Sequence, residues 1–297
     1  MRWLTPTLSF FKKSHVQRTL MVGYILLAAT AAFMLAQTAA PNAAGISAGH
    51  LHLVVEDPAA MQKLWVDVMG AQAVNAGPLT MAKMPGAFMI ATKSKGGVLK
   101  GSKGSVADHV GFYVKSFADT KAKAIAAGLP VQEVTPNIQA FVTFPGDVII
   151  EIQEDTSLTT PSTFSHFHLS VPDTNAAREW YIKTFGAEEG ERRPKLKGAK
   201  VPGGFIDFLG AGGAGKGKGG KAPAEPPPPP AASKGRTLDH IGFEVKDLKA
   251  FTDGLSAKGQ KLDVPVTDVK AKMGLQIAFL TDPDGTYIEL TEGLNAK

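Results

Sequence analysis

One unit recurs four times along the chain, and that repetition limits the fold more than any other feature. HLHLVVED (50–57), HVGFYVKS (109–116), HFHLSVPD (166–173) and HIGFEVKD (240–247) align without gaps as His-x-x-[Leu/Phe]-x-Val-x-[Asp/Ser]. The copies start 59, 57 and 74 residues apart. The long third interval holds AGGAGKGKGGKAPAEPPPPPAASKGR (211–236), a Gly/Lys-rich then proline-rich stretch that reads as a solvated excursion from the fold. Each opening segment alternates and is rich in Val and Phe, as a strand is, and its closing Asp or Ser is placed to cap a helix. Helical patterns follow (PAAMQKLWVDVMGA, FADTKAKAIAAG, TNAAREWYIKTFGA and LKAFTDGLSAKG), with Gly70, Gly128, Gly186 and Gly259 at or just beyond their ends. Shorter apolar runs complete each copy. The unit is therefore strand–helix–strand–strand–strand, and four half-domain units imply an α+β chain of two paired domains.

Composition removes several chemistries. The 297 residues contain no Cys, which excludes disulfides, thiolate zinc sites, iron–sulfur clusters and cysteine nucleophiles. The net charge of +5 is local: Arg2, Lys12, Lys13 and Arg18 stand in the first forty residues with no acid. Without those four the chain has 28 basic against 27 acidic residues, so no nucleic-acid face is indicated. Those forty residues run from a positive segment (1–18) through the apolar TLMVGYILLAATAAFMLA (19–36) to small residues. That order marks residues 1–44 as a secretory signal peptide. The alternative is a retained membrane anchor over 19–36, since the apolar run is long and Pro41 follows Ala40. Both place the body outside the cytoplasm, secreted or periplasmic in the first case. A membrane enters only through this segment.

Six of the seven His occupy the first or third position of the four strands: His50, His52, His109, His166, His168 and His240. Alternate strand residues share a face, so these histidines point away from Leu51, Leu53 and Val55 and their equivalents, against which the helices pack. A single strand His is usually structural or exposed; six on one face point to ligation. Glu151 in FPGDVIIEI and Glu289 in DPDGTYIEL interrupt apolar strands, where a carboxylate costs stability unless it is paired or bound. An edge strand with a wet face is the alternative. Lysines 93, 95, 100 and 103 and the GKGKGGK stretch (215–221) read as solvated linkers. No nucleotide-binding glycine signature or serine nucleophile elbow occurs.

The four openings and the DPDG-x-x-x-Glu ending at 282–289 resemble the vicinal oxygen chelate superfamily, which includes glyoxalase I, bleomycin-resistance proteins and type I extradiol dioxygenases. The resemblance covers about 48–294 outside the insertion. It implies βαβββ modules paired into cup-shaped mixed sheets: an N-terminal domain (48–155), a linker (156–163) and a C-terminal domain (164–294). It implies metal ligands on the first and last strands: His50, His109 and Glu151 in one domain, His166, His240 and Glu289 in the other. Asp207 in GGFIDFLG falls near the place of a fourth carboxylate ligand, where the first copy has only Met89 and Ile90. Two His and one carboxylate suit a divalent ion, Fe(II) foremost, with Mn, Ni or Zn as alternatives. His52 and His168, where copies two and four have Gly111 and Gly242, are candidates for acid–base groups, outer donors or substitute ligands. Tyr113, Glu244 and Tyr287 share the cup face, with Tyr113 and Tyr287 as candidate substrate contacts. The implied function is a metal-dependent dioxygenase, lyase or isomerase acting on a small molecule with vicinal oxygens. The alternative is a non-catalytic small-molecule binder of the bleomycin-resistance type.

Overall fold

The computed structural model describes residues 38–97, 99–194, 196–210 and 228–297. The expected signal or anchor segment and most of the insertion lie outside the described residues. Among the described residues no helix is long and apolar enough to cross a membrane.

All four modules have the expected order, the fourth with one short helix added. The first comprises β1 (Ile46–Val55), α1 (Pro58–Met69), β2 (Gln72–Ala76), β3 (Leu79–Met84) and β4 (Ala87–Lys93). The second comprises β5 (Ala107–Val114), α2 (Phe117–Ala126), β6 (Val131–Thr135), β7 (Gln139–Phe144) and β8 (Val148–Glu154). The third comprises β9 (Ser162–Val171), α3 (Thr174–Phe185), β10 (Glu188–Arg193), β11 (Leu196–Val201) and β12 (Gly204–Gly210). The fourth comprises β13 (Leu238–Val245), α4 (Leu248–Ala257), β14 (Val264–Asp268), a short α5 (Lys270–Met273), β15 (Gln276–Thr281) and β16 (Tyr287–Glu292). Asp57, Ser116, Asp173 and Asp247 each accept a backbone N–H of the following helix, removing one unsatisfied donor at each start.

The modules pair differently from the sequence expectation. One eight-stranded sheet runs β14-β15-β16-β13-β1-β4-β3-β2 and the other β10-β11-β12-β9-β5-β8-β7-β6. Module one thus shares a sheet with module four, and module two with module three. The ranges 48–155 and 164–294 each contribute to both sheets, and part of the expected 156–163 linker is the start of β9. Four copies of one motif carry no pairing preference of their own, so the connection decides. Only residues 155–161 join β8 to β9, and Val114 at the end of β5 faces both Glu154 and Ser162. That short span steps across one strand and leaves β9 antiparallel beside β5.

Modules adjacent in sequence meet instead through the core. Trp65 on α1 lies 5.3 Å from Phe112 and 4.8 Å from Phe144 of module two, and Phe185 on α3 lies 4.7 Å from Phe243 of module four. Leu51, Leu53, Val110, Phe167 and Ile241 all enter this one apolar cluster. The faces bearing the histidines are therefore turned away from it. Residues 228–236 are mostly exposed, as a solvated stretch is, but they are anchored: Ala231 bridges Ser105, and the fully buried Ser233 accepts the Tyr287 N–H through its hydroxyl.

Asp282 of the DPDG turn accepts the N–H groups of Asp284 and Thr286 and the hydroxyl of buried Tyr181 on α3 (2.8 Å). This ties the last hairpin to module three. Tyr181→Phe is expected to lower unfolding stability by about 1–2 kcal/mol in urea denaturation, because it leaves a buried carboxylate oxygen without that donor.

Candidate metal centres

Each sheet carries one cluster of three His and one Glu, at the junction of its two modules. In the first centre His50 Nε2 and His240 Nε2 lie 2.9 and 2.8 Å from the same oxygen of Glu289. His52, which faces His240 across β1·β13, completes a group whose ligating atoms all lie within 4.8 Å of one another. In the second centre His109 Nε2 lies 3.1 Å and His166 Nε2 3.7 Å from one oxygen of Glu151, and His168 Nδ1 lies 2.9 Å from His109 Nε2. Seven of these eight side chains are buried; His52 is half-buried. Relative to the sequence expectation, His50 and His166 exchange places, so His50 joins His240 and Glu289 while His166 joins His109 and Glu151. The exchange follows from the module pairing.

Local backbone irregularities aim these groups. Asp239 and Asp108 are the extra residues of β-bulges in β13 and β5, and bulges redirect side chains. Each carboxylate meets Nδ1 of the next residue, at 2.6 Å for Asp239–His240 and 2.8 Å for Asp108–His109. This fixes the ring so that Nε2 faces the centre, an outer partner typical of metal-bound imidazole. The sequence signal was the Asp-His pair in copies two and four only; the expectation passed over both aspartates. Gly242 and Gly111 have a steric reason. A Cβ at Gly242 would stand 2.0 Å from His50 Cε1, and one at Gly111 1.8 Å from His166 Cε1. Each ring lies flat over a glycine of the partner module.

The electrostatics separate the roles of the histidines. Burial alone would depress His240, but its hydrogen bonds to Asp239 and Glu289 outweigh that and raise it to about 9. His52 is lowered to about 3 by burial and then by His240. Burial opposes ionisation of Glu289, yet the imidazoles of His240 and His50 hold its carboxyl well below the usual range. In the second centre burial is again offset for His109, raised by Asp108 and Glu151, while His166 is lowered to about 4 by burial, with Arg192 adding to the effect.

The first centre fits a divalent ion. Three imidazoles and a carboxylate are the donor set for such ions, and two ligands at about 2.1 Å from one ion sit about 3 Å apart, close to the spacings here. His50 Nδ1 and His52 Nδ1 are buried without a hydrogen-bond partner. The surroundings are apolar: Ala76, Met81, Phe88 and Ile90 form a buried cluster with Leu275 and Leu294. His52 Nε2 meets Thr92 Oγ1 at 2.9 Å. Tyr287 stands edge-on to His240 at 5.6 Å, stacks on Phe279 and carries Lys234 over its ring.

The second centre fits an ion poorly. Both oxygens of Glu151 are engaged, one by Gln139 (2.9 Å) and Arg193 and the other by His109. Arg192 pairs with Asp207 at 2.6 Å and places Nη2 3.2 Å from His166 Nε2. Asp207 therefore joins neither cluster: it belongs to the His166 sheet, not with His240 and Glu289, and is neutralised by Arg192. Tyr113, in register with Thr163 and Gln153, is half-buried and does not line the cavity here. Glu244 is structural, accepting from Thr291 Oγ1 and the N–H groups of Gly293 and Asn295. Arg192, Arg193 and Gln139 were missed in the sequence, where ERR reads as an ordinary solvated strand.

The fold is shared with glyoxalase I from Zea mays (TM-score 0.60, 14% identity, 84% of this chain and 94% of that one). It is also shared with a "putative dioxygenase" from Bacillus subtilis (TM-score 0.59, 14% identity, 87% and 86%). No curated protein matches the sequence. Residues 163–290 match the family model described as Glyoxalase/Bleomycin resistance protein/Dioxygenase superfamily, a stretch whose two modules lie in different sheets. By this match modules three and four are similar to the glyoxalase/bleomycin resistance protein/dioxygenase superfamily, and modules one and two repeat the same unit.

Proposed function

We propose that this chain is a metal-dependent enzyme, of dioxygenase, lyase or isomerase type, acting outside the cytoplasm on a small molecule with two neighbouring oxygens. The observation that carries the reading is the buried convergence of His50 and His240 on one oxygen of Glu289, each within hydrogen-bond distance of it, with two unpartnered imidazole nitrogens beside them. A divalent ion held there, Fe(II) foremost, supplies Lewis acidity to substrate oxygens. Asp239 keeps the His240 ring oriented through Nδ1. His52 occupies the place opposite Ile90 and offers the fourth donor that this apolar residue does not. Tyr287 and Phe279 wall the His240 side against water. Reconstituted protein screened against catechols and 2-oxo compounds should turn over at least one, and Glu289→Gln should abolish that turnover. Persistence of the activity in that variant refutes the assignment. Export rests on the basic and apolar order of residues 1–36; fractionation of expressing cells should find the chain outside the cytoplasm.

Ion uptake should depend on pH. His240 is held protonated up to about 9 without an ion, and an incoming ion displaces that proton. Affinity should therefore rise about tenfold per pH unit between about pH 7 and pH 9 and then level off. The stability of the ion-free protein runs oppositely. A His whose folded value exceeds 6.5 contributes fully below that pH and loses its contribution as pH climbs through about 9. Competition titrations with a metal indicator check the first trend and urea unfolding the second.

A further inference from the structure

The two centres share their histidines and glutamate but differ in three coordinated ways. Ile90, opposite His52 in the first centre, is replaced by Asp207, opposite His168 in the second. Met81, which faces Ile90, is replaced by Gly198, which faces Asp207; a Cβ at Gly198 would stand 2.9 Å from Asp207 Oδ1. Ala76, paired with Leu79, is replaced by Arg193, paired with Leu196, and a bulge at Arg192 inserts a second arginine. An apolar wall has become two guanidinium groups with space cleared for a carboxylate counter-charge.

Those guanidinium groups stand at the atoms an ion would need. Arg192 faces Nε2 of His166 and Arg193 holds Glu151. Each carboxylate already has a positive partner, so a divalent ion would meet net repulsion at close range. The centre also opens on a cavity of about 740 Å³. Arg193, His168 and Lys103 line it together with the apolar Phe141, Ile149 and Leu209. Two polar atoms on this lining, Arg193 Nε and His168 Nε2, are buried without a partner. The Arg193 N–H is a donor awaiting an acceptor, and guanidinium is suited to a carboxylate.

We propose that the second centre is an ion-free pocket for an organic carboxylate with an apolar body, in which Arg192 and Arg193 supply the positive charge that a divalent ion would supply. The proposal rests on the function proposed above only in assigning the ion to the other centre. The full chain is offered Fe(II), Mn, Ni and Zn in turn, and bound metal is counted by inductively coupled plasma mass spectrometry. Benzoate binding is measured by calorimetry, with benzamide as the neutral isostere. Expected are one ion per chain, retained in Glu151→Gln, and one benzoate per chain bound about tenfold or more tighter than benzamide. Arg193→Met should lose about tenfold or more of the benzoate affinity, the loss of a charge-assisted hydrogen bond, while Arg193→Lys keeps part of it and guards against misfolding. Two ions per chain with one lost in Glu151→Gln would overturn the proposal. So would absent benzoate binding, or affinity indifferent to Arg193→Met. A chain that takes up no ion yet binds benzoate through Arg193 refutes the metal reading of the first centre and supports this one.

Discussion

Gly242→Ala is expected to break the first candidate metal centre, although it adds a single methyl group. That methyl would stand 2.0 to 2.4 Å from three atoms of the His50 ring. The ring is fully buried and cannot swing into solvent. Either the ring or the β1·β13 pairing must shift, and overpacking of this kind costs about 1–3 kcal/mol. The displaced imidazole no longer reaches Glu289, so ion affinity should fall with stability. Gly254→Ala in α4 is the control, because nothing lies within 4 Å of its added Cβ. There the same substitution should stabilise by about 0.5–1 kcal/mol, since alanine is the better helix former. Urea unfolding of the two variants should therefore move in opposite directions.

Glu289→Ala is expected to have the largest effect on the ion. Its Oε2 is the one atom that both His50 and His240 address. Removing it leaves buried imidazoles facing an empty volume, and breaking a buried ion pair costs about 3 kcal/mol or more. Ion affinity should drop by more than about 100-fold, beyond what loss of an outer hydrogen-bond partner produces. Glu289→Gln keeps the volume and a carbonyl acceptor, so it should recover most of the stability while still losing the ion. That split separates a structural from a ligating role. Unfolding and metal titration of the paired variants would show it.

The sequence carried the module but not its partner. Strand and helix positions follow from alternation and from the caps at Asp57, Ser116, Asp173 and Asp247, which are local. The histidine face was equally legible, because side-chain direction has a period of two. Pairing was not: His50 lies over Gly242 in the structure, but the same motif offered Gly111 as an equally good seat. The deciding feature, a short connector from β8 to β9, carries no chemistry. The bulges at Asp108 and Asp239 were hidden for a related reason, since an extra residue is defined only against a partner strand. Arg192 and Arg193 lay in a polar run whose inward turn depends on another such bulge.

On the function proposed above, one divalent ion should sit between the first and last of the four modules. Anomalous diffraction from crystals grown with Mn or Zn tests it most directly, because it places the ion rather than counting it. A strong peak is expected bounded by His50 Nε2, His240 Nε2 and an oxygen of Glu289, with none at Glu151. A peak at Glu151 alone, or no peak beside Glu289 in crystals holding saturating metal, would contradict it.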